Sequence, residues 1–141
     1  MAEEPSVLLE RDSHIAIVTL NRPAALNAIN RDVMRGLARA CEELARDESV
    51  WAVLLQAAGD RAFSAGADLK ERQDLDVHET QRLRADLVRT FRMLHSLPMV
   101  SLEQTLPGRV LGYGTLQAGP LEIAYVPDPK HVRDLVERLA A

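Results

Sequence analysis

The chain has 141 residues, a length typical of one domain, with 47% apolar residues and a formal net charge of -4. Mixed charge with a net negative balance argues against a nucleic-acid-binding surface. A single cysteine excludes an internal disulfide, and no apolar run approaches the length of a membrane-spanning helix.

The N-terminal half of the chain predicts a β-hairpin followed by a helix. The N-terminus carries acids where a secretion signal would carry bases, so we expect a soluble, cytoplasmic protein. "SVLLE" and "HIAIVTL" are rich in β-formers and are separated by "RDS". "NRPAALNAIN" then breaks the pattern, and Asn30 suits the N-cap of a helix. The apolar stripe of this helix at i, i+3, i+4 and i+7 spacing comprises Met34, Leu37, Ala38, Cys41, Leu44 and Ala45.

The middle of the chain predicts a buried strand and a second long helix. The run 50–58, "VWAVLLQAA", is almost continuously apolar, which is typical of a strand covered on both faces in a parallel sheet. The helix covers roughly 77–97, with Asp76 and Glu79 spaced as a capping box. Its apolar positions are Leu83, Leu87, Phe91 and Leu94, with Val88 beside them.

The last third of the chain predicts two more strands and a final helix. "MVSLE" and "LEIAYV" are the strand candidates, and a glycine-rich, turn-prone stretch separates them. Asp128 and Pro129 suit the start of a helix. Strands that alternate with helices indicate an α/β fold, which we expect to be one domain over 1–141.

The stretch "GDRAFSAGADLKE", 59–71, contains four small residues in a row, 64–67, at the predicted junction between a strand and a helix. A ligand could approach the main chain closely there, and a helix starting near Asp68 would present free N–H groups and its positive dipole end. Such a corner stabilises an anion, and the anion could be the oxyanion of a thioester carbonyl as well as a phosphate. A plain tight turn is the alternative on residue types alone. The glycine spacing does not fit a P-loop.

Two motifs together carry a resemblance to a known family. They are "LNRP…LNA", 20–28, and "FSAGADLKE", 63–71, and they resemble the enoyl-CoA hydratase/isomerase (crotonase) superfamily. The resemblance is close over 8–72, loose over 98–128 and absent in the last helix. It implies a crotonase-like fold of stacked ββα turns that is truncated at its C-terminal end.

The resemblance also implies a site for an acyl-CoA thioester. The N–H of Ala67 would form one half of an oxyanion hole that stabilises a thioester enolate. Backbone segments that match the family's CoA-binding positions run from Arg22 to Ala25 and through Ala65, Gly66, Ala67 and Asp68.

The second half of the implied site is altered. Gly112, Tyr113 and Gly114 stand where the family has three glycines, with Tyr113 in the position of the second donor. Leu116 occupies the slot where hydratases carry a glutamate. Glu122, in "AGPLEIAYVPD", takes the place of the family's other glutamate in one alignment and is merely structural in the rival alignment.

Three hypotheses for function follow. The chain is a hydratase or isomerase of enoyl-CoA thioesters, or a non-catalytic CoA-binding or assembly module, or a decayed, truncated copy without activity. The partner is an acyl-CoA substrate, with no further cofactor, and a homo-oligomer is possible. We expect no metal, because the histidines lack ligand spacing; they are His14, His78, His95 and His131.

Overall fold

The first two strands form the predicted hairpin. In the computed structural model, β1 (Val7–Asp12) and β2 (Ile15–Leu20) pair antiparallel, with Val7 opposite Leu20. The turn between them holds Ser13 at a φ of 58°, a left-handed conformation. The structure describes residues 4–97, 100–103, 117–118 and 121–122.

Two parallel strands extend the hairpin into a mixed sheet. β3 (Ala52–Ala57) lies beside β2, and β4 (Val100–Glu103) lies beside β3, so that the order is β1-β2-β3-β4. The residues of β3 from Ala52 to Leu55 are buried, as expected for a central strand covered on both faces. The strands predicted within 50–58 and 99–103 are therefore confirmed.

The first helix, α1 (Arg31–Leu44), begins as predicted at the cap residue Asn30. The Asn30 side chain accepts a hydrogen bond from the Val33 N–H at 2.9 Å, which satisfies one of the free donors of the first turn. The stripe expected from the sequence is partly wrong, because Ala45 follows the last helical residue and is exposed, and Ala38 is only half-buried. The buried positions are Val33, Met34, Leu37, Ala40, Cys41 and Leu44.

The long helix, α3 (Val77–His95), carries the predicted capping box. The Asp76 carboxylate accepts from the Glu79 N–H at 2.7 Å, and the Glu79 carboxylate accepts from the Asp76 N–H at 3.0 Å. The helix packs on α1 and ends two residues before the predicted boundary of 97. Val88 is 45% exposed, so it lies outside the buried stripe.

A second, two-stranded sheet pairs β5 (Gln117–Ala118) with β6 (Leu121–Glu122) in antiparallel fashion. β6 falls within the strand predicted from "LEIAYV". The glycine-rich stretch and the predicted last helix lie outside the described residues, and a single domain over 1–141 stays a prediction. None of the helices in the described part of the chain is long and apolar enough to cross a bilayer.

Together the described elements form the layered α/β arrangement that the sequence predicts. α1 packs against β1 and β2, and the core lies between this sheet and the two long helices. The segment after β2, which contains a 3-10 helix at Pro23–Ala25, meets the segment after β3 at a bridge between Ile29 and Ala67. The two sequence motifs are thus adjacent in space.

Candidate functional site at the Ala67 corner

The Ala67 corner, which we define as Ser64–Asp68, is held against the segment before α1 by an isolated parallel bridge. The Ile29 N–H donates to the Gly66 carbonyl at 2.8 Å, and the Asp68 N–H donates to the Ile29 carbonyl at 3.0 Å. In a parallel pair, the residue between two such bonds directs its own N–H and C=O away from the partner. Ala67 is that residue, so its amide points away from Ile29.

Three of the four amides in 65–68 donate within the protein. Ala65 donates to the Leu26 carbonyl at 2.9 Å, Gly66 donates to the Ser64 hydroxyl at 3.1 Å, and Asp68 donates as described above. The Ala67 N–H donates to no group among the residues that the structure describes. Ala67 is half-buried, so within the described part of the chain the corner offers one N–H donor without an acceptor.

Gly66 is required by the backbone of this corner. Its φ is 88°, a conformation that only glycine adopts without strain. A side chain at this position would meet no atom of the described residues within 4 Å. The glycine therefore serves the left-handed turn, and it also leaves the main chain bare on that side.

A buried asparagine ties the two motifs together, and the sequence analysis missed it. Asn27 is 1% exposed, and its Oδ1 accepts from the Arg22 N–H at 2.8 Å. Its Nδ2 donates to the carbonyls of Ala58 at 2.9 Å and Ala62 at 3.2 Å. The Ser64 hydroxyl donates to the Asn27 carbonyl at 2.8 Å. The only sequence signal was an asparagine inside a motif.

An ion pair closes the same junction. Arg22 Nη1 donates to the Ala28 carbonyl at 2.7 Å and to Asp68 Oδ2 at 3.0 Å, and the two side chains are only 23% and 13% exposed. Burial alone would raise the pKa of Asp68, but hydrogen bonds from Arg22 and from two backbone N–H groups outweigh it and hold that pKa below its usual value. Both side chains are engaged with the protein.

The helix expected near Asp68 is a single turn, α2 (Leu69–Arg72). The Asp68 carboxylate caps it, accepting from the N–H groups of Lys70 at 3.0 Å and Glu71 at 3.4 Å. The expected anion site at a free helix N-terminus is therefore wrong, because these donors are already satisfied and a carboxylate stands before them. Among the amides of 65–68, only that of Ala67 has no acceptor in the described part of the chain.

Ala67 also lines a cavity of about 320 Å³ between the corner and the helices α1 and α3. Of the other predicted site residues, Ala65 is exposed and Ala25 is half-buried in the 3-10 helix. Gly112, Tyr113 and Gly114 lie outside the described residues. Glu122 lies in β6 opposite Gln117, and its role stays a prediction. Within the described part of the chain, no cluster of three potential metal ligands occurs.

The chain is similar in sequence to known proteins. Residues 15–115 match the family model described as enoyl-CoA hydratase/isomerase. A short-chain-enoyl-CoA hydratase from Clostridium acetobutylicum is 37% identical over 92 residues, which are 65% of this chain and 35% of that protein.

Solved structures agree with the sequence match. An enoyl-CoA hydratase from Mycobacterium smegmatis is 38% identical with a TM-score of 0.69, over 72% of this chain and 40% of that one. An enoyl-CoA hydratase/carnithine racemase from Magnetospirillum magneticum is 31% identical with a TM-score of 0.69, over 74% of this chain and 40% of that protein. The chain thus spans between 35% and 40% of the length of these three proteins. The predicted fold and resemblance are confirmed: the chain belongs to the enoyl-CoA hydratase/isomerase (crotonase) family.

Proposed function

We propose that the Ala67 corner binds the thioester of an acyl-CoA, with the Ala67 N–H donating to the thioester carbonyl oxygen. The observation that carries the proposal is the Ala67 N–H, which has no acceptor among the described residues, whereas the three other amides of 65–68 donate within the protein. In a half-buried corner, a donor without an internal acceptor favours a ligand that brings one.

The chemistry that fits such a donor is stabilisation of a thioester enolate. When a base removes a proton from the α-carbon of the thioester, or when water adds to the β-carbon of an enoyl thioester and gives its proton to a base, negative charge collects on the carbonyl oxygen. A fixed N–H that points at this oxygen lowers the barrier, and a donor of this kind is worth about 3 kcal/mol in other enzymes. The bridge to Ile29 and the Arg22–Asp68 pair hold the amide in place before the substrate arrives.

The other site residues complete the proposal. Tyr113 supplies the second N–H donor to the carbonyl, and Glu122 carries the proton in hydration or isomerisation of an enoyl-CoA. Arg22 and Asp68 contact CoA through their main chains, because their side chains pair with each other. Further CoA contacts come from Ala25, Ala65, Gly66, Gly112 and Gly114. The reaction uses no separate cofactor. The protein assembles into a homo-oligomer in the cytoplasm.

A second candidate is a CoA-binding or assembly module without turnover. The observation in its favour is Leu116, an apolar residue in the slot where hydratases carry a glutamate. A decayed copy would bind nothing. The three candidates differ in two measurable properties, which are affinity for an acyl-CoA and turnover of an enoyl-CoA.

Titration of the full chain with crotonyl-CoA in a calorimeter, followed by an assay of its hydration, separates them. Ala67→Leu should weaken binding by about tenfold or more, because the larger side chain crowds the amide. Ala85→Leu, an identical change at an exposed position of α3, should bind like the wild type. Thermal unfolding checks that both variants fold.

Binding with turnover that Glu122→Gln abolishes supports the enzyme, and binding without turnover supports the module. The absence of binding to the folded wild type overturns the proposal. Unchanged affinity in the folded Ala67→Leu variant would exclude the Ala67 corner as the thioester site.

A further inference from the structure

The cavity beside Ala67 has an apolar wall. Ile29 and Met34 line it from the α1 side, and Leu83 and Leu87 line it from α3. Its volume of about 320 Å³ lies at the lower end of the range for small-molecule pockets, about 300–1,000 Å³. A cavity of this size and lining suits a short acyl chain better than a long one.

Two arginines, Arg72 and Arg84, also line this cavity, and no carboxylate of the described residues does. Within the described part of the chain, Arg22 and Arg72 are the half-buried arginines. Arg22 is paired with Asp68, whereas Arg72 has neither an ion pair nor a side-chain hydrogen bond to a described residue. A half-buried guanidinium without a partner among the described residues suits an anionic ligand, because a hydrogen-bonded carboxylate offsets the cost of its partial desolvation.

We infer that the cavity takes an acyl chain ending in a carboxylate, and that Arg72 binds this carboxylate, with Arg84 at the exposed rim. The inference rests on the proposed function, since the thioester at Ala67 sets the position of the chain. The methylene groups lie against the apolar wall, and the terminal carboxylate supplies the anion that Arg72 lacks among the described residues. The planar guanidinium can hold a carboxylate with two parallel hydrogen bonds.

The phosphates of CoA are the other source of an anion for Arg72. The apolar lining argues against them, because a phosphate would lose much of its hydration beside leucine and methionine side chains without gaining hydrogen bonds there. A carboxylate at the end of a hydrocarbon chain brings apolar atoms for the wall and one charge for the arginine. The experiment must still separate the two sources.

Calorimetric titrations of the full chain with three ligands make this separation. They are glutaconyl-CoA, whose short chain ends in a carboxylate, crotonyl-CoA, whose short chain is uncharged, and coenzyme A itself. The wild type should bind glutaconyl-CoA about tenfold or more tightly than crotonyl-CoA. Arg72→Met should abolish this preference and leave the affinities for the other two ligands unchanged.

Three further variants sharpen the test. Arg72→Lys keeps the charge and should keep part of the preference, and Arg84→Met should reduce it less than Arg72→Met does. Arg82→Met removes an exposed arginine of α3 that does not line this cavity, so it should change nothing. Thermal unfolding confirms that each variant is folded.

Equal weakening of all three ligands by Arg72→Met would assign Arg72 to a CoA phosphate and overturn the inference. The inference also falls if the wild type binds crotonyl-CoA as tightly as glutaconyl-CoA, while the proposed function then stands. If no CoA ligand binds the folded wild type, the proposed function itself is wrong and the inference falls with it.

Discussion

The Asp68 carboxylate accepts three hydrogen bonds. Oδ2 accepts one from the Arg22 guanidinium, and Oδ1 accepts two from the N–H groups of Lys70 and Glu71. These bonds favour the charged form more than burial opposes it, so the pKa of Asp68 is lower in the folded chain than in the unfolded one. The resulting stabilisation is therefore complete above the unfolded value, about 3.9, and is lost as the pH falls below it through the folded value.

Asp68→Asn tests this residue, because asparagine keeps a cap for α2 but loses the charged pair with Arg22. We expect the free energy of unfolding at neutral pH to fall by about 1–3 kcal/mol. The deficit should shrink as the pH drops below about 4, since the wild-type carboxylate then takes up a proton as well. Urea denaturation at a series of pH values measures both quantities.

Asp86→Asn provides the matched control. Asp86 pairs with Arg89 on the exposed surface of α3, and such pairs contribute at most about 1 kcal/mol. Its effect should be small at neutral pH. A deficit of Asp68→Asn that stays constant down to the acid limit would contradict the assignment of the low pKa to Asp68.

Two asparagines show which side-chain contacts the sequence can predict and which it cannot. Asn30 was predicted as a cap because its partner Val33 is three residues away, within reach of a local rule. Asn27 bonds Ala58 and Ala62, which lie more than thirty residues along the chain. No local rule distinguishes a buried asparagine from an exposed one, so this part of the site required the structure.

At the scale of the elements, periodicity and caps predicted the hairpin, β3, and both long helices. The errors lie where an end or a neighbour decides burial. Ala45 has the right spacing for the stripe of α1 but follows its last residue, and Ala40 is buried although the predicted stripe omitted it. The spacing of apolar residues along one helix cannot reveal which element packs on it. The contact between α1 and β1 is an example.

Gly36 of α1 lies against Val7 of β1. A Cβ at Gly36 would stand 2.7 Å from the Val7 Cβ and 2.8 Å from its Cγ2. Alanine at this position would improve helix propensity by about 1 kcal/mol, but the overlap costs about 1–3 kcal/mol. We therefore expect Gly36→Ala to lower the free energy of unfolding by about 1 kcal/mol, as measured by urea denaturation.

The Val7→Gly background is the control for this contact, because it removes both clashing atoms. There, Gly36→Ala should become stabilising, and the coupling between the two positions should reach about 1–3 kcal/mol. If Gly36→Ala stabilises the chain that retains Val7, the helix does not lie as close to the strand as the structure has it.

At the scale of the whole molecule, family and fold followed from two motifs that lie far apart in sequence. The sequence predicted that both motifs contribute to one site. It did not predict that Ile29 would fix the direction of the Ala67 amide, because a bridge between residues 29 and 67 depends on how two segments pack. Ligand binding is the global property that tests this site as a whole.

Cys41 reports on the whole molecule. The residue is 2% exposed in the core between the sheet and the helices. Burial, as the main cause, and the negative charge of Glu42, as the smaller one, raise the pKa of Cys41 to about 11. The thiolate is the reactive form, so Cys41 should react with a thiol reagent at mildly alkaline pH only when the fold opens. Its labelling rate, relative to that of the unfolded chain, then measures the free energy of opening.

Binding of the proposed acyl-CoA ligand should slow this reaction by mass action, because a ligand that binds only the folded state stabilises it against opening. At a ligand concentration one hundred times the Kd, the labelling rate of Cys41 should fall about one hundredfold. Ala45→Cys in a Cys41→Ala background places a thiol at an exposed position just after α1, where labelling should be fast with or without ligand. Labelling of Cys41 in the native wild type that is as fast as that of the exposed thiol at position 45, and that ligand does not slow, would show that the thiol reacts without opening of the fold. That result would contradict the burial of Cys41.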